Sequence, residues 1–120
     1  MSKSAETTFP PYLIAYACLN CRKSFKRFYA ANMLTMKCPQ CAGAAHRTSR
    51  NFKAPKSSDI EQWRKISFLL SHGFRFNTIR ENGKRVPYPI DLELAKEFVI
   101  RYRRFAEEPA EMPVRDEPSN

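Results

Sequence analysis

The sequence has only three glycines among its 120 residues. Loops that hold a nucleotide phosphate need several closely spaced glycines, because the backbone must approach the phosphate. The chain therefore has no glycine-rich phosphate loop. It also has no apparent Ser/His/Asp set, and the acids Glu93 and Glu97, which can share a helix face, are flanked by Arg101 and Arg104. We expect the chain not to be an enzyme.

Long apolar runs are missing as well. The N-terminus, from Met1 to Glu6, has no apolar segment behind its charge, so we predict no signal peptide. The longest apolar stretch is far too short to span a hydrocarbon layer of about 30 Å. We expect no membrane partner, and a location in the cytoplasm or on the nucleoid.

Acidic residues are absent between Glu6 and Asp59, a segment that contains nine Lys and Arg residues. The net charge is +9, of which residues 1–106 carry 20 − 7 = +13 and residues 107–120 carry 1 − 5 = −4. An ordinary solvated surface mixes both signs, whereas a long stretch of one sign usually faces a polyanion. The charge pattern therefore predicts nucleic acid as the partner.

The four cysteines form two Cys-x-x-Cys pairs, Cys18 with Cys21 and Cys38 with Cys41, separated by sixteen residues. Two thiolates at this spacing can bind one ion from a tight turn whose backbone N–H groups point at the sulfurs. Two such turns complete a tetrahedron with no open position, which is typical of a structural site. We predict one structural Zn²⁺ ion held by these four cysteines.

Other uses of the cysteines stay open at this point. Iron accepts the same four thiolates, although a strongly basic chain is not typical of an electron carrier. Redox-active pairs, the second alternative, would need a βαβ context that the pattern does not show. His46, five residues past Cys41, could replace a cysteine, but with four cysteines available we expect a surface or base-stacking histidine.

The two cysteine pairs, with Pro39 inside the second pair and Gly43 close behind it, resemble the zinc-ribbon, or rubredoxin-like, superfamily over residues 12–53. The resemblance implies a three-stranded ribbon with the cysteines at its turns. In such ribbons a glycine usually follows the last cysteine directly, whereas Ala42 occupies that position in this chain. The segment 51–56, running into the next helix, is also similar to small uncharacterised bacterial zinc-ribbon proteins, and this likeness implies no activity.

Periodicity beyond the ribbon predicts an α+β fold, in which a helix, a β-hairpin and a second helix follow the zinc ribbon. The first helix, 59–72, begins at Ser58 as N-cap, with Glu61 as its capping-box partner, and ends at Gly73. Its core face contains apolar residues at helical spacing: Ile60, Trp63, Ile66 and Leu70.

The hairpin 74–88 turns at Asn82-Gly83, because both turn residues must accept positive φ. The second helix follows Asp91 as N-cap and continues to about Ala106. Its apolar face consists of Leu94, Ala95, Phe98, Val99, Tyr102 and Phe105. The predicted parts of the chain are a flexible arm (1–8), the zinc ribbon (9–53), a helix-hairpin-helix extension packed on the ribbon (54–106) and a disordered acidic tail (107–120).

Basic and aromatic side chains alternate directly after the first cysteine pair. Basic side chains bind phosphates, and flat rings stack on unpaired bases. The predicted nucleic-acid-binding residues are Arg22, Lys23, Lys26, Arg27, Tyr29, Lys37, Arg47, Arg50, Lys53 and Lys56. We expect one of Phe25 and Phe28 to lie in a small core over the metal instead.

The leading function is therefore a non-catalytic, zinc-dependent module that binds RNA or DNA, for example on a ribosome or a polymerase assembly. The alternative is a protein–protein interaction adaptor scaffolded by the zinc, which binds a protein partner through helix 59–72 and hairpin 74–88. Phe68 and Leu69 lie off the core face of helix 59–72. This helix is therefore either packed on two sides or exposes a contact surface. Binding to a polyanion weakens steeply with salt, whereas apolar docking does not.

Overall fold

The structure is a computed structural model that describes residues 12–29, 33–50 and 52–107. The predicted arm (1–8) and residues 108–120 of the predicted tail lie outside the described residues. In chain order the elements are β1 (Leu13–Cys18), β2 (Lys23–Phe28), β3 (Thr35–Lys37), β4 (Ala44–Arg47), α1 (Ile60–Ser71), β5 (Ile79–Glu81), β6 (Lys84–Val86), α2 (Leu92–Arg101) and a 3₁₀ turn (Arg103–Phe105). This confirms the predicted α+β class.

The ribbon is an antiparallel sheet of four strands in the order β2-β1-β4-β3. Each cysteine pair lies at the turn of one hairpin, β1-β2 or β3-β4. The resemblance implied three strands, and the fourth is the short strand β3, which pairs with β4 across the second turn. Strand β1 is central and buried on both faces, with Ile14, Tyr16 and Cys18 on one face and Ala15 and Ala17 on the other.

Helix α1 packs on the second of these faces. Trp63, Ile66 and Leu70 form a buried cluster with Ala17, whose small side chain lets the helix approach the sheet. The opposite side of α1 packs against the β5-β6 hairpin and α2, where Leu69 is fully buried. Helix α1 is therefore packed on two sides, which resolves the question that its apolar composition raised.

The first turn of α1 differs from the prediction. The N-cap is Asp59, whose carboxylate accepts the Gln62 N–H at 3.3 Å, and Ser58 precedes it outside the helix. A carboxylate suits this position because the helix dipole favours negative charge there. Ile60, assigned to the core face, is 41% exposed, because it lies in the first turn, beyond the part of α1 that covers the sheet.

The extension forms a second core around Leu69, Phe74, Ile79, Phe98 and Val99. The predicted Asn-Gly turn is confirmed, since Asn82 and Gly83 have φ values of 54° and 78°. The strands are shorter than predicted, because Phe74 and Arg75 are buried in the interior and pairing with β6 begins only at Ile79. Neither helix in the described part of the chain has the length and apolarity needed to cross a bilayer.

Helix α2 begins after Asp91 as predicted, and the Asp91 carboxylate accepts the Leu94 N–H at 2.8 Å. The helix ends at Arg101 and the chain continues in the 3₁₀ turn, so the predicted end near Ala106 is wrong for the α-helix itself. Leu94, assigned to the apolar face, is 46% exposed, since it lies in the first turn of α2, away from the centre of the core.

The last described residue, Glu107, connects the ribbon to the extension. The sequence placed it in the disordered tail, but its carboxylate pairs with Arg47 at 3.2 Å and with Arg75 at 3.3 Å, and accepts the Asn77 amide at 2.6 Å. Its N–H donates to the Gly73 carbonyl at 2.8 Å. A side chain at position 73 would collide with the Glu107 carbonyl, so the glycine permits this crossing.

Candidate metal centre

The four cysteine sulfurs converge beside the ribbon sheet, all within 4.8 Å of one another. The Cys18 and Cys41 sulfurs are 3.6 Å apart, and the Cys21 and Cys38 sulfurs 4.0 Å apart. Sulfur atoms at about 2.3 Å from a tetrahedral ion would be separated by about 3.8 Å. The cysteines are therefore positioned to coordinate one metal ion, and all four predicted ligands belong to the site.

Backbone N–H groups surround the sulfurs, as the Cys-x-x-Cys spacing predicted. The Cys21 N–H points at the Cys18 sulfur at 3.3 Å, the Gln40 N–H at the Cys38 sulfur at 3.4 Å, and the Gly43 N–H at the Cys41 sulfur at 3.3 Å. Such N–H groups stabilise negative charge on the sulfurs. The turns are therefore shaped for thiolates that bind a cation.

The cysteines of the site differ in pKa. The Asn20 side chain and the Gly43 N–H hydrogen-bond the Cys41 sulfur and lower the pKa of this thiol to about 6. The pKa of Cys21 is raised to about 12, chiefly by its hydrogen bond with Cys41. Neighbouring thiolates repel one another, and a bound metal removes this conflict because coordinated thiols lose their protons.

The two cysteine turns have equivalent backbones. The residue after each pair, Arg22 or Ala42, has a positive φ of 57° or 64°. Its N–H donates to the carbonyl of the first cysteine of the pair, at 2.8 Å to Cys18 and 2.9 Å to Cys38. This backbone explains why zinc ribbons favour glycine directly after the last cysteine, since only glycine adopts the left-handed conformation without steric cost.

We expect Ala42→Gly to stabilise the ribbon by about 0.5–1 kcal/mol, because relief of the left-handed strain exceeds the entropy that glycine adds to the unfolded chain. Ala44→Gly is the matched control, since Ala44 begins strand β4 and glycine weakens a strand by about 0.5–1 kcal/mol. Thermal unfolding of the metal-loaded variants measures both effects. Destabilisation by both substitutions would show that Ala42 is not strained.

His46 does not lie on the surface, so the expectation of a surface or base-stacking histidine is wrong. It is 5% exposed and pairs with Ala17, which places its side chain on the α1 side of the sheet. Cys18, the neighbour of Ala17, points to the other side. Burial, together with the nearby Arg75, lowers the pKa of His46, so this histidine is a neutral core residue.

The basic residues of β2 divide between the two faces of the sheet. Lys23 and Arg27 lie on the cysteine side with Phe25 between them, whereas Lys26 lies on the α1 side. The Phe25 ring stacks on Tyr16 at 5.9 Å between centroids, while Phe28 is 65% exposed. This confirms that one of the two phenylalanines belongs to the core.

The other predicted nucleic-acid-binding residues are dispersed. Arg22 donates to the Ser57 carbonyl at 2.6 Å and so joins the first cysteine turn to the linker. Lys37 lies on β3, at the opposite edge of the sheet from β2. Lys53 and Lys56 are exposed on the linker that leads to α1.

Arg47 was predicted to face nucleic acid, but it is only 9% exposed and is paired with Glu107. Its place on β4 directs it to the interior between the ribbon and the extension, where a counter-charge is required. Tyr29 stacks on Tyr12, with centroids 5.1 Å apart, and Arg50 lies over the Tyr12 ring at 4.6 Å. Tyr29, Arg47 and Arg50 thus belong to one group, which also includes Tyr12, a residue absent from the prediction.

No protein-family model matches the chain, and no curated protein or solved structure is significantly similar to it. The geometry of the metal centre and of the surrounding charges therefore carries the functional argument.

Proposed function

We propose that this protein is a non-catalytic, zinc-dependent module that binds nucleic acid. The observation that supports this most is the unbalanced charge of the ribbon. Of the nine basic residues between Glu6 and Asp59, only Arg47 has an ion-pair partner within the described ranges. The −2 charge of a zinc ion with four thiolates offsets too little of this charge, and phosphates are the ligands that such a surface attracts.

The metal that we propose is a single structural Zn²⁺ ion. It would be held by one cysteine pair from each hairpin, so that the ion joins β1-β2 to β3-β4. A tetrahedral site of four thiolates leaves no position for substrate, and zinc supplies rigidity there without redox chemistry. Fixed hairpins keep the basic side chains of β2 in one arrangement before they meet nucleic acid.

The alternative adaptor function loses part of its support. It required Phe68 and Leu69 to present a docking face on α1, but Leu69 is fully buried and Phe68 packs against the same core. The charged side chains that the described part of the ribbon exposes are all basic (Lys23, Lys26, Arg27, Lys37, Arg50 and Lys53), and its exposed large apolar side chains are fewer: Leu13, Phe28 and Met33. The arrangement therefore favours a polyanion over an apolar protein surface.

We expect Lys23→Glu/Arg27→Glu to weaken nucleic-acid binding about tenfold or more while zinc stays bound, because these side chains share the cysteine side of β2. For every phosphate that the variant no longer neutralises, the slope of log K against log salt should fall by about 0.7–0.9. Fluorescence anisotropy on single-stranded and duplex RNA and DNA, at about 50 to 200 mM salt, measures both the affinity and this slope.

Lys26→Glu, on the opposite face of the same strand, is the control for charge reversal and should have a smaller effect. Because the double variant reverses two charges and the control one, the control should lose less than half as much log K as the double variant; a loss of one half would show that the protein attracts nucleic acid through total charge alone. A wild-type protein that binds none of the four nucleic acids would contradict the proposed function and support a protein partner.

A further inference from the structure

A cleft of about 810 Å³ lies between the ribbon and the β5-β6 hairpin. Tyr12, Tyr29 and Arg50 line its ribbon side, and Arg85 and Tyr88 line its hairpin side. The volume lies within the range of about 300–1,000 Å³ that is typical of small-ligand sites. A site of this size accepts one or a few linked small units but not a double helix.

The cleft has an excess of positive charge that the described residues do not neutralise. Its lining contains three arginines, Arg47, Arg50 and Arg85, and one acid, Glu107, which pairs with Arg47. Arg50 and Arg85 are exposed, and neither has an ion-pair partner within the described ranges. Exposed guanidinium groups without a counter-charge attract an anion into the cleft.

The ribbon side of the cleft carries a stack of rings and guanidinium groups. Tyr12 and Tyr29 are nearly parallel, at 15° and 5.1 Å. Arg50 lies over the Tyr12 ring at 4.6 Å, and Arg47 over the Tyr29 ring at 5.7 Å. An exposed guanidinium over a ring, such as that of Arg50, presents both a plane for stacking and donors for a phosphate. A nucleotide offers the matching flat base and phosphates.

The hairpin side of the cleft is lined by Arg85, whose charge is repelled by Arg80 on the neighbouring strand. Arg80 and Arg85 are directly opposite across β5-β6, and neither has an ion-pair partner in the described part of the chain. Like charges at such positions destabilise a hairpin. This unfavourable pair of charges is explained if an anion binds between Arg85 and the ribbon.

We propose that the cleft binds an unpaired nucleotide of a single-stranded nucleic acid, a substrate class that rests on the proposed function. The base lies against the Tyr12–Tyr29 side. Arg50 and Arg85, on the two sides of the cleft, bind the phosphates on either side of the nucleotide. Lys23 and Arg27 lie on the same face of the sheet as Tyr29, so a strand leaving the cleft meets them next.

The test is Arg50→Gln/Arg85→Gln, compared with Arg64→Gln/Arg101→Gln. The control removes the same charge from exposed positions on α1 and α2 that do not line the cleft. Anisotropy with a single strand of about eight nucleotides should show affinity reduced about tenfold or more by the cleft variant and much less by the control. For the matching duplex, both variants should have the same small effect.

If both double variants reduce single-strand affinity equally, the cleft is not the site, although the proposed function survives. If the wild type binds neither single strand nor duplex, both proposals fail together. Equal zinc content and unfolding temperature in the variants show that the fold is retained.

A second measurement uses the unaltered protein. A single strand that carries 5-iodouridine should photo-crosslink to Tyr12, Tyr29 or Tyr88, identified by mass spectrometry of the peptides. Adducts confined to Phe25 and Phe28 would place the unpaired bases on β2 and overturn the proposal for the cleft.

Discussion

Replacing Cys38 with serine is expected to abolish stoichiometric zinc binding and to unfold the ribbon, residues 12–53. Zinc binding to a small four-ligand site contributes about 10–16 kcal/mol of apparent free energy, which is inseparable from folding. Cys38 is also 4% exposed and packs with Ile14 and Tyr16 in the ribbon core. Removal of its sulfur therefore weakens both the metal site and the apolar cluster beside it.

Elemental analysis after zinc-supplemented expression should give one zinc per chain for the wild type and much less for the variant. Amide hydrogen exchange should show loss of protection first in β1 to β4. Gln40→Ala is the matched control, because it alters the same turn but keeps all four sulfurs and the backbone N–H at position 40. Full zinc occupancy and unchanged protection in Cys38→Ser would contradict the assignment of this ligand.

The same elemental analysis distinguishes zinc from iron. Four thiolates suit either ion, so the sulfur positions identify the metal site but do not distinguish zinc from iron. One iron per chain in protein expressed without added metal would leave the four ligands in place and replace the structural zinc of our proposal by a rubredoxin-like centre.

Trp63→Ala should destabilise the protein by about 3–5 kcal/mol, the cost of truncating a large buried aromatic side chain. Trp63 is 3% exposed and lies between the sheet and the body of α1. Its indole N–H donates to the Lys56 carbonyl at 3.0 Å, so the substitution also releases the linker. A loss of this size is a large share of the roughly 5–15 kcal/mol that usually stabilises a domain.

Denaturant unfolding followed by circular dichroism measures this loss. Ile100→Ala, which truncates a side chain that is 75% exposed on α2, is the control and should change stability by less than about 0.5 kcal/mol. If Trp63→Ala leaves stability unchanged but abolishes nucleic-acid binding, the indole acts as a stacking platform instead of a core residue.

The elements that the sequence predicted best are those whose geometry is local. The cysteine turns follow from two-residue spacings, the hairpin from Asn82-Gly83, and the start of α2 from Asp91. In each case a few neighbouring residues satisfy their own backbone groups. The cross-strand pair Arg80 and Arg85 was also accessible, since both are equally distant from the Asn-Gly turn, but it was not part of the predicted site.

Predictions that depended on which face a residue occupies were less successful. His46 and Arg47 are polar and adjacent, and both were expected at the surface. Strand β4 instead lies between β1 and β3, with α1 on one side and Glu107 near the other. Polarity predicts exposure only when no distant group compensates for burial.

Glu107 illustrates the same limit for charge. Counted along the sequence, it is one of five acids in a tail of net charge −4. In the structure it neutralises arginines from β4 and from the segment after α1, up to sixty residues away. A truncation intended to test competition by the acidic tail should therefore start at residue 108, so that this ion pair is retained.

By itself, the sequence determined the metal ligands, the order of the elements and the excess of positive charge, because spacing, periodicity and composition are properties of the linear chain. Only the tertiary structure decided which arginines are buried and which tyrosines stack. It also brought the ribbon and the hairpin together around one cleft. Those outcomes depend on contacts between residues far apart in sequence, whose energies arise only after the sheet, α1 and the hairpin have packed together.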